Sequence, residues 1–130
     1  MGVNTLKTLL ITNNPLVKEE LSEKITVKYY EVDYLEILEV VRDEIHKGSK
    51  LLTHPLSGSV KPYETPYKSI IIEEKQGELD MDSLMIIEQS IDTTKKFIKG
   101  KEVTEWTSEI KEDFQVIDLS IINNALSSIK

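Results

Sequence analysis

A polar segment between two short apolar runs carries the side chains of this sequence that are best suited to chemistry. The apolar runs cover residues 50–53 and 69–73, and the segment between them holds one of the two histidines and most of the four prolines. Its hydroxyl groups, its glycine and its lysine favour binding of an anion, and its histidine could transfer a proton. The candidate ligand-binding residues of this segment are Thr53, His54, Ser57, Gly58, Ser59 and Lys61.

Two asparagines complete the predicted binding site. Residues 6–12 have the composition of a buried strand, which ends at Asn13-Asn14-Pro15. Pro15 suits the first position of a helix, with Asn14 as its N-cap. In a parallel sheet the carboxyl ends of the strands share one edge, so both asparagines would lie near the 53–61 segment. We therefore predict a crevice for a small anionic metabolite at this edge.

Structural roles remain open for the same residues. Asn13 and Asn14 also fit a turn and a helix cap, and His54 also fits a packed or loop-stabilising histidine. The sequence 57–59 also fits a plain turn. Because connections of more than about a dozen residues are mostly functional or disordered, and this one is stiffened by prolines, we predict a functional segment.

Catalysis is less well supported than binding. An enzyme could use His54 as acid or base and a nearby serine as nucleophile, but no third member of a triad is identifiable. The segment matches neither the phosphate-loop pattern nor the GxSxG elbow. The chain has no cysteine, and its two histidines lack a metal-ligand spacing, so no metal and no cofactor is predicted. Catalytic residues stay unassigned, and the sequence favours a binding protein over an enzyme.

Alternating strand and helix patterns must position these groups. Strands are predicted at 6–12, 25–32, 51–53 and 69–74, and helices follow the first two strands and residue 80. This order predicts one α/β domain over residues 1–130, with a mostly parallel, Rossmann/flavodoxin-like sheet of about four strands flanked by helices. The direction of the strand at 69–74 is open, with parallel favoured.

Local signals set the expected ends of the helices. The first helix should run from Pro15 to about Lys24. Asp33 and Glu36 have capping-box spacing for the second helix, and Gly48 suits its end. Asp80 or Asp82 should cap a third helix, which runs to about Lys99 and is ended by Gly100.

The C-terminal part is predicted to be helical. Thr104 could cap a short helix that holds Trp106 and Ile110. Residues 114–119 would also pass as a strand, but the length of the periodic pattern favours a helix. The stripe of that helix consists of Phe114, Ile117, Ile121, Ala125 and Ile129.

The charge balance limits the classes of partner. The formal net charge is −7, from 23 acidic and 16 basic residues, which disfavours nucleic acid and anionic membrane surfaces as partners. The apolar run 9–11 is too short to span a bilayer, and the absence of cysteine is compatible with a cytoplasmic location. Tyr63, Glu64 and Tyr67 are candidates for binding a protein partner. The oligomeric state is not predicted.

Three segments carry a family resemblance. The run HKGSKLLTHPLSGSVKPYETPYKSI at 46–70, together with LLITNNPLV at 9–17 and EDFQVIDLSII at 112–122, resembles the GrdX family. These are small proteins encoded with the glycine, sarcosine and betaine reductase systems of anaerobic bacteria that ferment amino acids. The resemblance implies a cytoplasmic accessory or regulatory role, with a reductase component as the expected partner. It supplies no catalytic residues, because the reductases rely on selenocysteine or cysteine chemistry.

Overall fold

The computed structural model describes residues 7–56, 65–99 and 105–129. In this part of the chain, four strands and four helices follow one another along the sequence. The strands are β1 (Thr8–Thr12), β2 (Thr26–Tyr29), β3 (Lys50–Leu51) and β4 (Ser69–Glu73). The helices are α1 (Pro15–Leu21), α2 (Tyr34–His46), α3 (Met81–Ile98) and α4 (Ser108–Ser128).

The strands form a mixed sheet in the order β2-β1-β4-β3. β1 and β2 are parallel, whereas β4 is antiparallel to both β1 and β3. The prediction of a mostly parallel sheet, and of a parallel β4, is therefore wrong, and a Rossmann/flavodoxin-like fold is not confirmed. The physical reason lies in the connection: parallel neighbours need a crossover, usually helical, and the sequence between β3 and β4 has no helical pattern.

Helices cover both faces of the sheet. Leu9 and Ile11 of β1 point to one face, where they pack with buried residues of α2 and α3. Leu10 points to the other face and packs with Val17 of α1 and Ile122 of α4. This alternation is the period of two that a strand imposes on its side chains. Because helices cover both faces, the central strands β1 and β4 are buried along nearly their whole length, and the three middle residues of each are apolar.

Most helix starts follow the sequence signals. Asn14 caps α1, Asp33 forms a capping box with Glu36 at α2, and Asp80, rather than Asp82, caps α3. α1 is shorter than predicted, because its helical hydrogen bonding ends at Leu21 and three turn residues follow. Gly100 lies outside the described residues.

Residues 114–119 belong to the helix α4, so the prediction of a helix there, and not a strand, is confirmed. The start and the buried face of α4 differ from the prediction. Thr107 is the N-cap, so Trp106 precedes the helix, and Thr104 lies outside the described residues. The buried positions of α4 are Asp118 and Ile122, whereas Ile117 of the predicted stripe is 43% exposed. Among the described residues, no helix is both long and apolar enough to cross a membrane.

At Gly48, the end of α2 closely approaches the turn that precedes α3. Its φ is +117°, and a Cβ atom there would lie 2.7 Å from the backbone nitrogen of Gly77. Gly77 also has a positive φ, but a Cβ atom would meet nothing within 4 Å. We expect Gly48→Ala to lower the free energy of unfolding by about 2 kcal/mol or more, through strain and collision.

Gly77→Ala is the matched control, because it adds the backbone strain without the collision. It should lower the free energy of unfolding by about 1 kcal/mol in urea titrations. Equal effects of the two substitutions would contradict the close approach.

Candidate functional site

A buried carboxylate lies at the edge of the sheet where β1 ends and β4 begins. Asp118 of α4 is 7% exposed and lies one helical turn before Ile122, so it belongs to the face that packs on the sheet. Its Oδ2 atom accepts hydrogen bonds from the Ser69 hydroxyl at 2.6 Å and from the Asn14 side-chain amide at 3.0 Å. The backbone N–H of Ser69 also bonds to this carboxyl group. The buried carboxyl group therefore accepts hydrogen bonds from the end of β1 and from the start of β4.

A chain of hydroxyl groups extends this network to the backbone. Thr12 and Ser69 are directly paired in the register of β1 and β4, and their hydroxyl oxygens are 2.7 Å apart. Because Ser69 gives its single hydroxyl proton to Asp118, the Thr12 hydroxyl must donate to Ser69. Thr12 in turn accepts from the backbone N–H of Asn14 at 2.9 Å. We call the residues Thr12, Asn14, Ser69 and Asp118 the Asp118 network.

The two predicted asparagines are fully engaged inside the protein. The Asn13 amide donates to the carbonyls of Val32 and Pro66, at 2.9 and 2.8 Å, and its oxygen accepts from the backbone of Lys68 at 2.8 Å. The second amide proton of Asn14 goes to the carbonyl of Gln115 at 3.0 Å. Both side chains thus join the end of β1 to neighbouring segments, and each donates both of its amide protons to hydrogen bonds within the protein.

A lysine is buried beside this network. Lys68 is 5% exposed and precedes Ser69 at the start of β4. Burial lowers the pKa of Lys68 to about 8, and the charge of Asp118 opposes that change. Burial likewise raises the pKa of Asp118, against the hydrogen bonds from Ser69 and Asn14 and the charge of Lys68. Low-dielectric surroundings penalise the charged form of each group, which is the physical cause of both changes.

Lys68 and Asp118 both line a cleft between α2 and α4. Its interior volume is about 20 Å³, which is room for roughly one water molecule. The polar part of the wall comes from the segment before β4 and from Asp118, and the apolar part comes from α2 and α4. The lining residues are Tyr34, Thr65, Tyr67, Lys68, Phe114, Ile117, Asp118 and Ile121.

The structure describes only some of the other predicted site residues. Thr53 accepts a hydrogen bond from the backbone of Ile71 at 3.0 Å, which fixes the end of β3 against β4. His54 is exposed, and its Nδ1 atom accepts from the backbone of Leu56 at 3.1 Å. Ser57, Gly58, Ser59, Lys61, Tyr63 and Glu64 lie outside the described residues. Tyr67 is half-buried, and its hydroxyl accepts from the side chain of Gln115 at 2.9 Å.

Sequence reasoning did not single out Asp118 or Lys68. The signal for Asp118 was present: it stands at helical spacing with Ile122, Ala125 and Ile129, so it occupies an otherwise apolar face. The competing stripe through Phe114 and Ile117 obscured it. Lys68 offered no comparable signal, because a lysine before a strand is ordinarily solvated.

The architecture defines a class of protein: a small α/β protein with a mixed four-stranded sheet and a buried carboxylate network at one edge. Within that class, the chain belongs to the GrdX-like protein family, whose model matches residues 9–127. Compared with curated proteins and with solved structures, the chain shows no significant match. The family match includes every residue of the Asp118 network, and it includes Lys68.

Removal of the Asp118 carboxylate should be costly. Asp118→Ala leaves the Ser69 hydroxyl and the Asn14 amide without their acceptor, and leaves Lys68 without its nearby negative charge. We expect a loss of about 3–5 kcal/mol in the free energy of unfolding, measured in urea. Asp113→Ala, at an exposed position of the same helix, should change it by about 0.5 kcal/mol or less. A small effect at Asp118 would contradict the network.

The buried lysine should make stability rise with pH above about 8. The pKa of Lys68 is about 8 when folded and 10.5 when unfolded, so between these values the unfolded chain binds more protons. The contribution of Lys68 to the free energy of unfolding is therefore most favourable above its unfolded pKa, and it is lost as the pH falls toward 8. Compared with Lys68→Met, the wild type should gain roughly 1–2 kcal/mol between about pH 8 and 9.5.

The measurement is a series of urea titrations of both proteins across this range. Readings should stop near pH 10, because burial and the charge of Asp118 raise the pKa of Tyr34, and its titration has the opposite effect above its unfolded value of 10.0. If the free energy of unfolding of both proteins changed with pH in the same way, Lys68 would not be the source of the rise in stability.

Proposed function

We propose that this chain is an accessory or regulatory protein of the glycine, sarcosine and betaine reductase systems, and that it acts in the cytoplasm by binding a reductase component. The observation that carries the proposal is membership of the GrdX-like family over residues 9–127. Binding is preferred to catalysis because the side chains of the Asp118 network donate to and accept from one another. Such an arrangement stabilises a fold and leaves few groups for a reacting substrate.

An apolar stripe on α4 supports the proposal that the partner is a protein. Ile110, Phe114, Ile117 and Ile121 follow the helical spacing and lie on the flank of α4, away from its buried centre at Ile122. Ile110 is 42% exposed, and Trp106 packs edge-on against Phe114 with ring centroids 5.0 Å apart. Aromatic and aliphatic side chains of this kind form the central contacts of many protein interfaces.

The predicted partner-binding tyrosine lies next to this stripe. Tyr67 is tied to α4 by its hydrogen bond with Gln115, and it shares the cleft with Phe114 and Ile117. We therefore propose that the partner contacts the α4 stripe together with Tyr67. Tyr63 and Glu64, the other proposed contacts, lie outside the described residues.

The charge around the stripe indicates the kind of surface that would complement it. Exposed Glu109, Glu112 and Asp113 outnumber the single exposed Lys111 in the first turns of α4. A partner patch with an apolar centre and a basic rim would match this distribution. The association should then weaken with added salt, because rim charges act mainly through screened, long-range attraction.

The test is affinity capture with the tagged full chain from lysate of a glycine-fermenting anaerobe, followed by mass spectrometry. The wild type should retain a reductase component, and Ile110→Ser should reduce its recovery at least several-fold. Val116→Ser is the matched control, because Val116 is 57% exposed on the same helix but lies off the stripe. Absence of any reductase component from the wild-type sample, or equal recovery with both variants, would contradict the proposal.

A further inference from the structure

We propose that the cleft between α2 and α4 is the binding site of one ordered water molecule, which accepts a hydrogen bond from the Tyr34 hydroxyl and donates one to the Asp118 carboxylate. This inference goes beyond the reductase role and does not depend on it, since it rests on the cleft alone. Three observations carry it: a tyrosine hydroxyl without a protein partner, a carboxylate beside it with an acceptor position to spare, and the size and charge of the cleft.

The first observation concerns the hydroxyl group of Tyr34. Tyr34 begins α2, lines the cleft and is only 7% exposed. Within the described part of the chain, its hydroxyl group forms no hydrogen bond, yet every side-chain oxygen or nitrogen that is sealed from solvent there has a partner. The Tyr34 hydroxyl must therefore be reachable by water. A tyrosine hydroxyl in so buried a residue ordinarily has a hydrogen-bond partner.

The second observation is the proximity of Asp118, on the helix across the cleft. Burial raises the pKa of Tyr34, and the negative charge of Asp118 raises it further, so the two groups lie near each other without a direct hydrogen bond. The Asp118 carboxyl group accepts three hydrogen bonds, from the Ser69 hydroxyl, the Ser69 backbone and the Asn14 amide. A carboxylate has about four acceptor positions, so one remains for a water molecule.

The third observation is the size and the charge of the cleft. Its interior volume of about 20 Å³ holds roughly one water molecule and is too small for an organic ligand. Lys68 and Asp118 line the cleft with opposite charges, so neither a cation nor an anion is favoured there. Water is a neutral occupant of this size that accepts a proton from one hydroxyl group and donates its own to a carboxylate at the same time.

Such a water molecule would join two helices that pack on opposite faces of the sheet. α2 packs with Leu9 and Ile11 of β1, whereas α4 packs with Leu10. A bridge from Tyr34 to Asp118 connects the two helices at the sheet edge and extends the Asp118 network to α2. Because the water donates to the carboxylate, it favours the charged form of Asp118, and its loss should favour protonation.

The first test is a high-resolution crystal structure of the full chain. We expect one water molecule about 2.6–3.0 Å from the Tyr34 hydroxyl oxygen and from a carboxylate oxygen of Asp118. In the structure of Tyr34→Phe, this water molecule should be lost. A water molecule bonded to only one of the two groups, a direct hydrogen bond between them, or no water molecule at either group would overturn the inference.

The second test follows the Asp118 carboxyl group in solution, by ¹³C NMR titration of the wild type and of Tyr34→Phe. The substitution keeps the ring and removes only the hydroxyl group, which is uncharged over the pH range in which a carboxyl group titrates. We expect the proton dissociation constant of Asp118 to fall at least about three-fold in the variant, because the carboxylate loses an ordered donor.

Tyr30→Phe is the matched control, because it removes a tyrosine hydroxyl outside the cleft lining. It should leave the proton dissociation constant of Asp118 as in the wild type. Equal constants in the wild type and Tyr34→Phe would overturn the inference, and the wild-type crystal structure decides alone if Tyr34→Phe does not fold. None of these results bears on capture of a reductase component through Ile110.

Discussion

The burial of one carboxylate, Asp118, is the constraint on which the rest of this structure depends. An unpaired charge in a protein interior costs several kcal/mol, so the fold must bring donors to it. Ser69 and Asn14 supply them, and the register of β1 and β4 places Thr12 where it can donate to Ser69. The position of α4, the start of α1 and the pairing of the two central strands are thus linked through a single group.

This link explains why a helix with a weakly apolar face packs where it does. Only Ile122 of α4 is a fully buried apolar residue, and the flanking apolar stripe through Ile117 remains partly exposed. Apolar contact alone would favour a rotation of α4 that buries the stripe. The hydrogen bonds of Asp118 instead hold the rotation that leaves Ile110 and Ile117 about two-fifths exposed.

The local elements of the fold could be predicted from the sequence, because capping residues and periodicity act over a few positions. Asn14, Asp33 and Asp80 cap helices as their spacing indicated. The direction of β4 could not be predicted, because strand pairing depends on contacts that local pattern does not encode. Of the candidate site, the two asparagines at the end of β1 were singled out from the sequence. Lys68 and Asp118 were not, because they lie fifty positions apart in the sequence and interact electrostatically only in the folded chain.

Asp118 and Ser69 should act as a coupled pair that holds α4 to the sheet edge. The most direct test is a double-mutant cycle with Ser69→Ala and Asp118→Asn, in which the free energy of unfolding of all four proteins is measured in urea. We expect a coupling free energy of about 1–3 kcal/mol, as for buried hydrogen bonds to a charged group. A coupling within about 0.3 kcal/mol of zero would show that the two residues act independently, and that their hydrogen bond does not hold α4 to the sheet edge.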